Sequence, residues 1–193
     1  MCPTCGHCKP VEEQTGCSTA FPSEIIPNFL YLGSYDHASR PDLMRAMDIT
    51  MILNTVPSAQ NLYKNTFTYH TLGAAWAPDD IPGAHRAFHE SIAFLEQARA
   101  QKQRVLVHCM TGVSKGPSVV IAYLMAQMGW ALESSGQWVT ERRRLVKLKP
   151  EILAQLQAWD AALGPRQPIP IAQQNNGPVG FPTFPELDKS ILF

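Results

Sequence analysis

Neither sign of charge is in excess in this sequence: Lys plus Arg number 16, Asp plus Glu number 16, and the formal net charge is +0 at pH 7. Nothing in that balance draws the chain to nucleic acid or to an acidic membrane, so neither is expected as a partner. Long apolar runs are missing as well. The longest, Val119 to Ala126, is too short to span a bilayer. The segment Met1 to Pro10 carries no apolar stretch of the kind a secretion signal needs. Cysteine is scarce, at 5 of 193 residues, and the pattern predicts a reducing compartment, cytoplasmic or nuclear, without disulfides. No segment repeats. A Walker-type phosphate loop is also absent, since Lys115 precedes Gly116 and no glycine stands at the required upstream position.

What is present suffices for one substantial core, with 45% of 193 residues hydrophobic. Three regions separate. Residues 1–20 are Cys-rich and turn-like, 21–163 alternate strand and helix patterns, and 164–193 are dense in Pro, Gly, Gln and Asn. The tail, with Pro165, Pro168, Pro170, Pro178, Pro182 and Pro185, is expected to be disordered. Its Phe181, Phe184, Leu187 and Ile191 are too sparse to be read as a docking segment. In the middle region, residues 29–32, 50–53, 68–72 and 105–107 read as strands, and 41–47, 83–100, 117–128, 131–144 and 150–162 as helices. Phe88, Ile92 and Leu95, at spacings of four and three, give the second helix one buried stripe. Strands alternating with helices predict an α/β fold with a short, mainly parallel central sheet flanked by helices. Its site is then expected at the C-terminal ends of the strands.

One strand end carries chemistry. Val105, Leu106 and Val107 form a β-prone run that delivers Cys109 into a loop containing Gly112, and from Pro117 the pattern becomes an apolar helix. A loop between strand end and helix start gathers backbone N–H donors at one spot, and the helix dipole adds partial positive charge. Such a cradle suits a phosphate and favours negative charge on a thiol, so Cys109 is a candidate nucleophile. The other reading of a lone cysteine at a strand end is a buried structural thiol. Gly112, Ser114 and the helix onset argue against it here.

The segment His108-Cys109-Met-Thr-Gly112-Val-Ser114 resembles the signature loop of the dual-specificity class of cysteine-dependent protein phosphatases. That pattern is His-Cys, five residues, then Arg, usually followed by Ser or Thr; here the Arg position holds Lys115 and the next holds Gly116. The likeness extends to Phe21-Pro-Ser-Glu-Ile-Ile-Pro-Asn-Phe-Leu-Tyr-Leu-Gly-Ser34, Ile49-Thr-Met-Ile-Leu-Asn-Thr55, Ala122-Tyr-Leu-Met125 and Trp138-Val-Thr-Glu-Arg-Arg143, in matching order. Phe21-Pro-Ser-Glu-Ile, Asn61-Leu-Tyr and Gln137-Trp-Val are similar to plant phosphatases of the indole-butyric acid response type.

The resemblance implies a compact protein-tyrosine-phosphatase-like domain over residues 21–163 that needs no cofactor for catalysis. Cys109 would attack phosphorus and form a phosphocysteine. Met110, Thr111, Gly112, Val113, Ser114 and Lys115 would bind the phosphate. The family's general acid occupies a loop such as Ala77-Pro-Asp-Asp-Ile-Pro82, which points to Asp79 first and Asp80 second, 30 and 29 residues before Cys109. Turn and helix-start chemistry alone would also place carboxylates there. His108 is read as orienting the loop. Lys115 keeps the charge of Arg without its planar fork, and Gly116 lacks the hydroxyl that assists phosphoenzyme breakdown in the family. The resemblance therefore implies either a slow phosphatase or a pseudophosphatase that holds phosphorylated proteins, mitogen-activated protein kinases among them by family analogy.

Two constellations stand apart. Cys2-Pro-Thr-Cys5 looks like half of a zinc knuckle, and Cys8, Cys17 or His7 are candidates to complete four ligands around one zinc, the set taken being Cys2, Cys5, Cys8 and Cys17. A second well-spaced pair is missing, and a truncated remnant of a longer module is the competing reading. Arg142-Arg143-Arg144 with Lys147 and Lys149 reads as a solvated helix end rather than a steering patch.

Overall fold

In a computed structural model of the chain, residues 20–73 and 76–164 are described. The zinc candidates Cys2, Cys5, His7, Cys8 and Cys17, and the Pro-rich tail from Pro165, lie outside the described residues.

The strands are β1 (Ser23–Ile26), β2 (Leu30–Ser34), β3 (Ile49–Asn54), β4 (Thr68–Thr71) and β5 (Arg104–Cys109). The helices are α1 (Tyr35–Ala38), α2 (Pro41–Ala46), α3 (Ile81–Ala100), α4 (Lys115–Met128), α5 (Leu132–Arg142) and α6 (Pro150–Leu163). The sheet runs in the order β1-β2-β5-β3-β4. Only β1 with β2 is antiparallel; β2 with β5, β5 with β3, and β3 with β4 are parallel. A central strand of a parallel sheet is covered on both faces, which is why β5 is an unbroken run of Val105, Leu106 and Val107, each fully buried.

The two faces belong to different clusters. Val105 and Val107 join Leu30, Leu32, Met51, Leu53, Phe88 and the apolar length of α4, whereas Leu106 joins Tyr31, Met44, Ile49, Ile52 and Phe67 under α1 and α2. Helix α4 is apolar all round, buried from Gly116 to Met125, because it packs against the sheet and against α3, α5 and α6. In α3, Phe88, Ile92 and Leu95 are buried as their spacing predicts.

The expected α/β architecture is observed, with two additions. Strand β1 and the four-residue α1 were not read from the sequence. Register brings the strand ends level: Ser34 of β2 and Asn54 of β3 stand beside Cys109 and His108 of β5. The site is built there.

Candidate active site

Cys109 is the last residue of β5 and is buried, and the loop from Met110 to Ser114 returns over it before α4 begins. The Gly112 N–H donates to Cys109 Sγ at 3.1 Å. Gly112 has φ +70°, and a Cβ on it would lie 2.5 Å from the Gly33 carbonyl oxygen and 2.6 Å from Arg143 Nη2. Only glycine fits that turn.

The loop's carbonyls have partners of their own. The Tyr35 N–H donates to Met110 O (3.2 Å), and the Lys147 N–H to Val113 O (2.9 Å). Arg143 donates from Nε to Gly112 O (2.9 Å) and from Nη2 to Thr111 O (3.4 Å). This corrects the reading of the three arginines as a solvated end. Arg142, Arg144, Lys147 and Lys149 are exposed, but Arg143 is 1% exposed. The reason is local: α5 stops at Arg142, and Arg143 leaves the helix at φ −136° and ψ 89°, which turns it beneath the loop. Burial opposes its charge, and the Cys109 sulfur favours it.

His108 is 1% exposed, and its Nδ1 lies 3.4 Å from Cys109 O. Burial pushes its pKa down to about 4, against a smaller upward pull from that carbonyl. A ring that is neutral near pH 7 suits the orienting role read from the sequence. The Thr55 N–H and Oγ1 both donate to His108 O at 3.0 Å and hold the strand end.

Lys115 opens α4, and its Nζ donates to Trp76 O at 3.3 Å while lying 4.7 Å from the centroid of the Trp76 ring. Burial lowers its pKa below that of an ordinary lysine, Cys109 opposes this, and Lys149 adds to it. Next to it, a Cβ on Gly116 would meet Leu32 Cδ1 at 3.3 Å, Cys109 N at 3.4 Å and Cys109 Sγ at 3.5 Å.

A cavity of about 290 Å³ opens over the sulfur. It brings together Cys109, Met110, Thr111, Ser114 and Lys115 from the predicted set, with Trp76, Ala77 and Pro78 on one side and Lys149, Glu151 and Ile152 on another. Gly112 and Val113 belong to the loop but do not line the cavity. Asp79 is exposed and follows the lining residues by one position; its carboxylate is not among the lining groups. Asp80 is committed elsewhere: its Oδ1 accepts from the Gly83 N–H at 2.8 Å and caps α3. Trp76 escaped the sequence reading, although a tryptophan just ahead of a Pro-flanked acidic loop was a usable signal. Among the described residues, no three His, Cys, Asp or Glu side chains come together to hold a metal.

This arrangement can hold a tetrahedral dianion against a buried sulfur. The chain is similar to known proteins. The family model described as the dual specificity phosphatase catalytic domain matches residues 30–162. The chain is 44% identical over 208 residues to protein-tyrosine-phosphatase IBR5 of Arabidopsis thaliana, an alignment covering 97% of this chain and 78% of that protein. With human dual specificity protein phosphatase 4 it shares 31% identity over 165 residues, covering 83% of this chain but 38% of that one. Among solved structures, human tyrosine phosphatase-like serine/threonine/tyrosine-interacting protein superposes with a TM-score of 0.65 at 27% identity, covering 75% of this chain and 98% of that one. A family model over residues 30–162 and a relative 44% identical along most of both chains place the fold and site in one family: the chain belongs to the dual-specificity protein phosphatases.

Proposed function

We propose that the protein hydrolyses phosphotyrosine and phosphoserine or phosphothreonine in proteins through a phosphocysteine intermediate. One observation carries the proposal: Cys109 Sγ lies 3.1 Å from a loop N–H at the floor of a cavity that also holds Lys115. In the first step Sγ attacks phosphorus opposite the leaving oxygen. The S–P bond forms as the P–O bond breaks, and the electron pair departs on the oxygen. Asp79 turns in to give that oxygen its proton, because a serine or threonine alkoxide leaves poorly unprotonated. In the second step water attacks the phosphocysteine and the Asp79 carboxylate takes its proton. Inorganic phosphate leaves, and the thiolate returns. Lys115 supplies one point charge to the transferring group, so turnover is slow relative to a loop that carries Arg.

By analogy with the family, the partners are phosphorylated proteins of the cytoplasm or nucleus, mitogen-activated protein kinases among them. The catalytic unit spans 21–163, and zinc at Cys2, Cys5, Cys8 and Cys17 would be structural. A second reading is a pseudophosphatase that binds phosphorylated partners without turnover. It is favoured by the Lys115 ammonium, which is engaged with Trp76 O and has no second donor plane to follow the phosphoryl oxygens. Hydrolysis of a small aryl phosphate by the purified chain, with Cys109→Ser as background, separates them. Turnover above that background is expected. Vanadate binding with turnover no faster than C109S would leave the binding reading.

A further inference from the structure

We propose that Gln155 is a positioning residue for the acid loop: its buried carboxamide holds Trp76, Ala77 and Pro78 and so sets where Asp79 stands relative to the cavity. This rests on the reading of Asp79 as the general acid. Gln155 lies on α6, far from the loop in sequence, and is 0% exposed. Its Oε1 accepts from the indole Nε1–H of Trp76 at 2.8 Å. Its Nε2 donates to Ala77 O at 3.0 Å and to Pro78 O at 2.9 Å. Both donors of the amide and one of its acceptor sites are used on three consecutive residues. The amide orientation is fixed by this network, since reversing it would point N–H at N–H and oxygen at two carbonyls.

A buried carboxamide is unfavourable unless its hydrogen bonds are made, and here three go to one loop. Beyond Asp79 the chain is fixed again, by the Asp80 cap on Gly83. Asp79 thus stands between two anchored points: its carbonyl accepts from the Ile81 N–H at 3.2 Å, while its carboxylate is exposed. An acid that must turn toward a leaving oxygen within hydrogen-bond reach gains most from such fixed neighbours, because small misplacements are expensive in rate.

The test uses the full chain and two variants. Gln155→Met keeps the length of the side chain and loses all three hydrogen bonds. Gln155→Glu keeps the acceptor for the indole and loses the two donors. Amide exchange is read at Ala77, Asp79 and Asp80 and, as an internal reference, along 105–109. Turnover is read on a phosphoserine peptide and on an aryl phosphate with an acidic leaving group, and vanadate affinity is measured beside them. Gln155→Met should speed exchange at Ala77 to Asp80 but not in 105–109. It should lower phosphoserine turnover about tenfold or more while changing aryl phosphate turnover less than about threefold. Vanadate affinity should hold. Gln155→Glu, which sets a buried carboxylate oxygen against the two carbonyls, should disturb the loop at least as much as Gln155→Met. Unchanged exchange at the loop, or equal losses on both substrates in a folded variant, would overturn the proposal. If the parent itself turns over neither substrate, the phosphatase reading fails, and the exchange measurement still decides whether Gln155 holds the loop.

Discussion

Placing an ammonium where this family carries a guanidinium keeps one positive charge and discards a planar pair of donors. The loss is greatest in the transition state, where three equatorial oxygens carry developing charge, and least for the bound dianion that backbone N–H groups already hold. Lys115→Arg combined with Gly116→Ser should therefore raise kcat on an aryl phosphate by on the order of 10²-fold, equivalent to about 2.7 kcal/mol, with little change in vanadate affinity. Each single change should give only part of this, since both act on one loop. The side chain added at 116 must also fit against Leu32 Cδ1 at 3.3 Å and Cys109 N at 3.4 Å. A folded double variant that binds vanadate and is no faster would move suspicion to the acid loop. There the proposed mechanism gives the two carboxylates different work. Asp80→Ala should lower stability by about 1 kcal/mol in thermal or denaturant unfolding, as loss of an N-cap does. Asp79→Asn should leave stability alone and slow phosphoserine peptides far more than aryl phosphates with acidic leaving groups. Equal slowing of both substrates would remove Asp79 from the acid role.

The segment 143–149 acts as an element, although it has no regular structure. Arg143 ties down Thr111 O and Gly112 O, the Lys147 N–H ties Val113 O, and the Lys149 N–H reaches Ser114 Oγ at 3.4 Å. Replacing Arg143 by Met would leave two carbonyls without those donors. Vanadate affinity should then fall about tenfold and stability by about 1–3 kcal/mol, read by titration and denaturant unfolding. Unchanged affinity would mean that the loop holds its shape unaided. None of this was legible in Arg142-Arg143-Arg144, because three identical charges in a row carry no sign of which one the chain turns inward. The long helices were legible: the stripe of α3 and the apolar length of α4 are periodic signals that tertiary packing reinforces. Strand β1 was not. Its Ser23-Glu-Ile-Ile26 is short, half polar and defined by antiparallel pairing with β2. Helix α1 is a single turn, too short to show a period, held by the Ser34 N–H donating to His37 Nδ1 and by packing against β2 and β5. At the site, Cys109 and Gly112 could be read from the local strand, loop and helix pattern, and Lys115 from the resemblance to the signature loop. Trp76 and Gln155 become meaningful only when α6 is brought against the acid loop.

For the molecule as a whole, the neutral His108 links stability to pH. An unfolded imidazole takes up a proton below about pH 6.5, whereas folded His108 resists until about 4. Between these values the unfolded state binds the additional proton, so stability falls as pH drops from about 6.5 toward 4, by up to about 3 kcal/mol. Denaturant midpoints at pH 7 and pH 5 should show this slope for the parent and a shallower one for His108→Asn. Equal slopes would locate the titration elsewhere. In the proposed reaction the decisive bond is a different one, between Cys109 sulfur and phosphorus. Acid quenching of the chain during turnover of an aryl phosphate, followed by intact-mass and peptide analysis, tests it most directly. One phosphoryl group on the Cys109 peptide, absent from Cys109→Ser and suppressed by vanadate, is the predicted result. Turnover with no such adduct, or with the phosphoryl group on another residue, would contradict it.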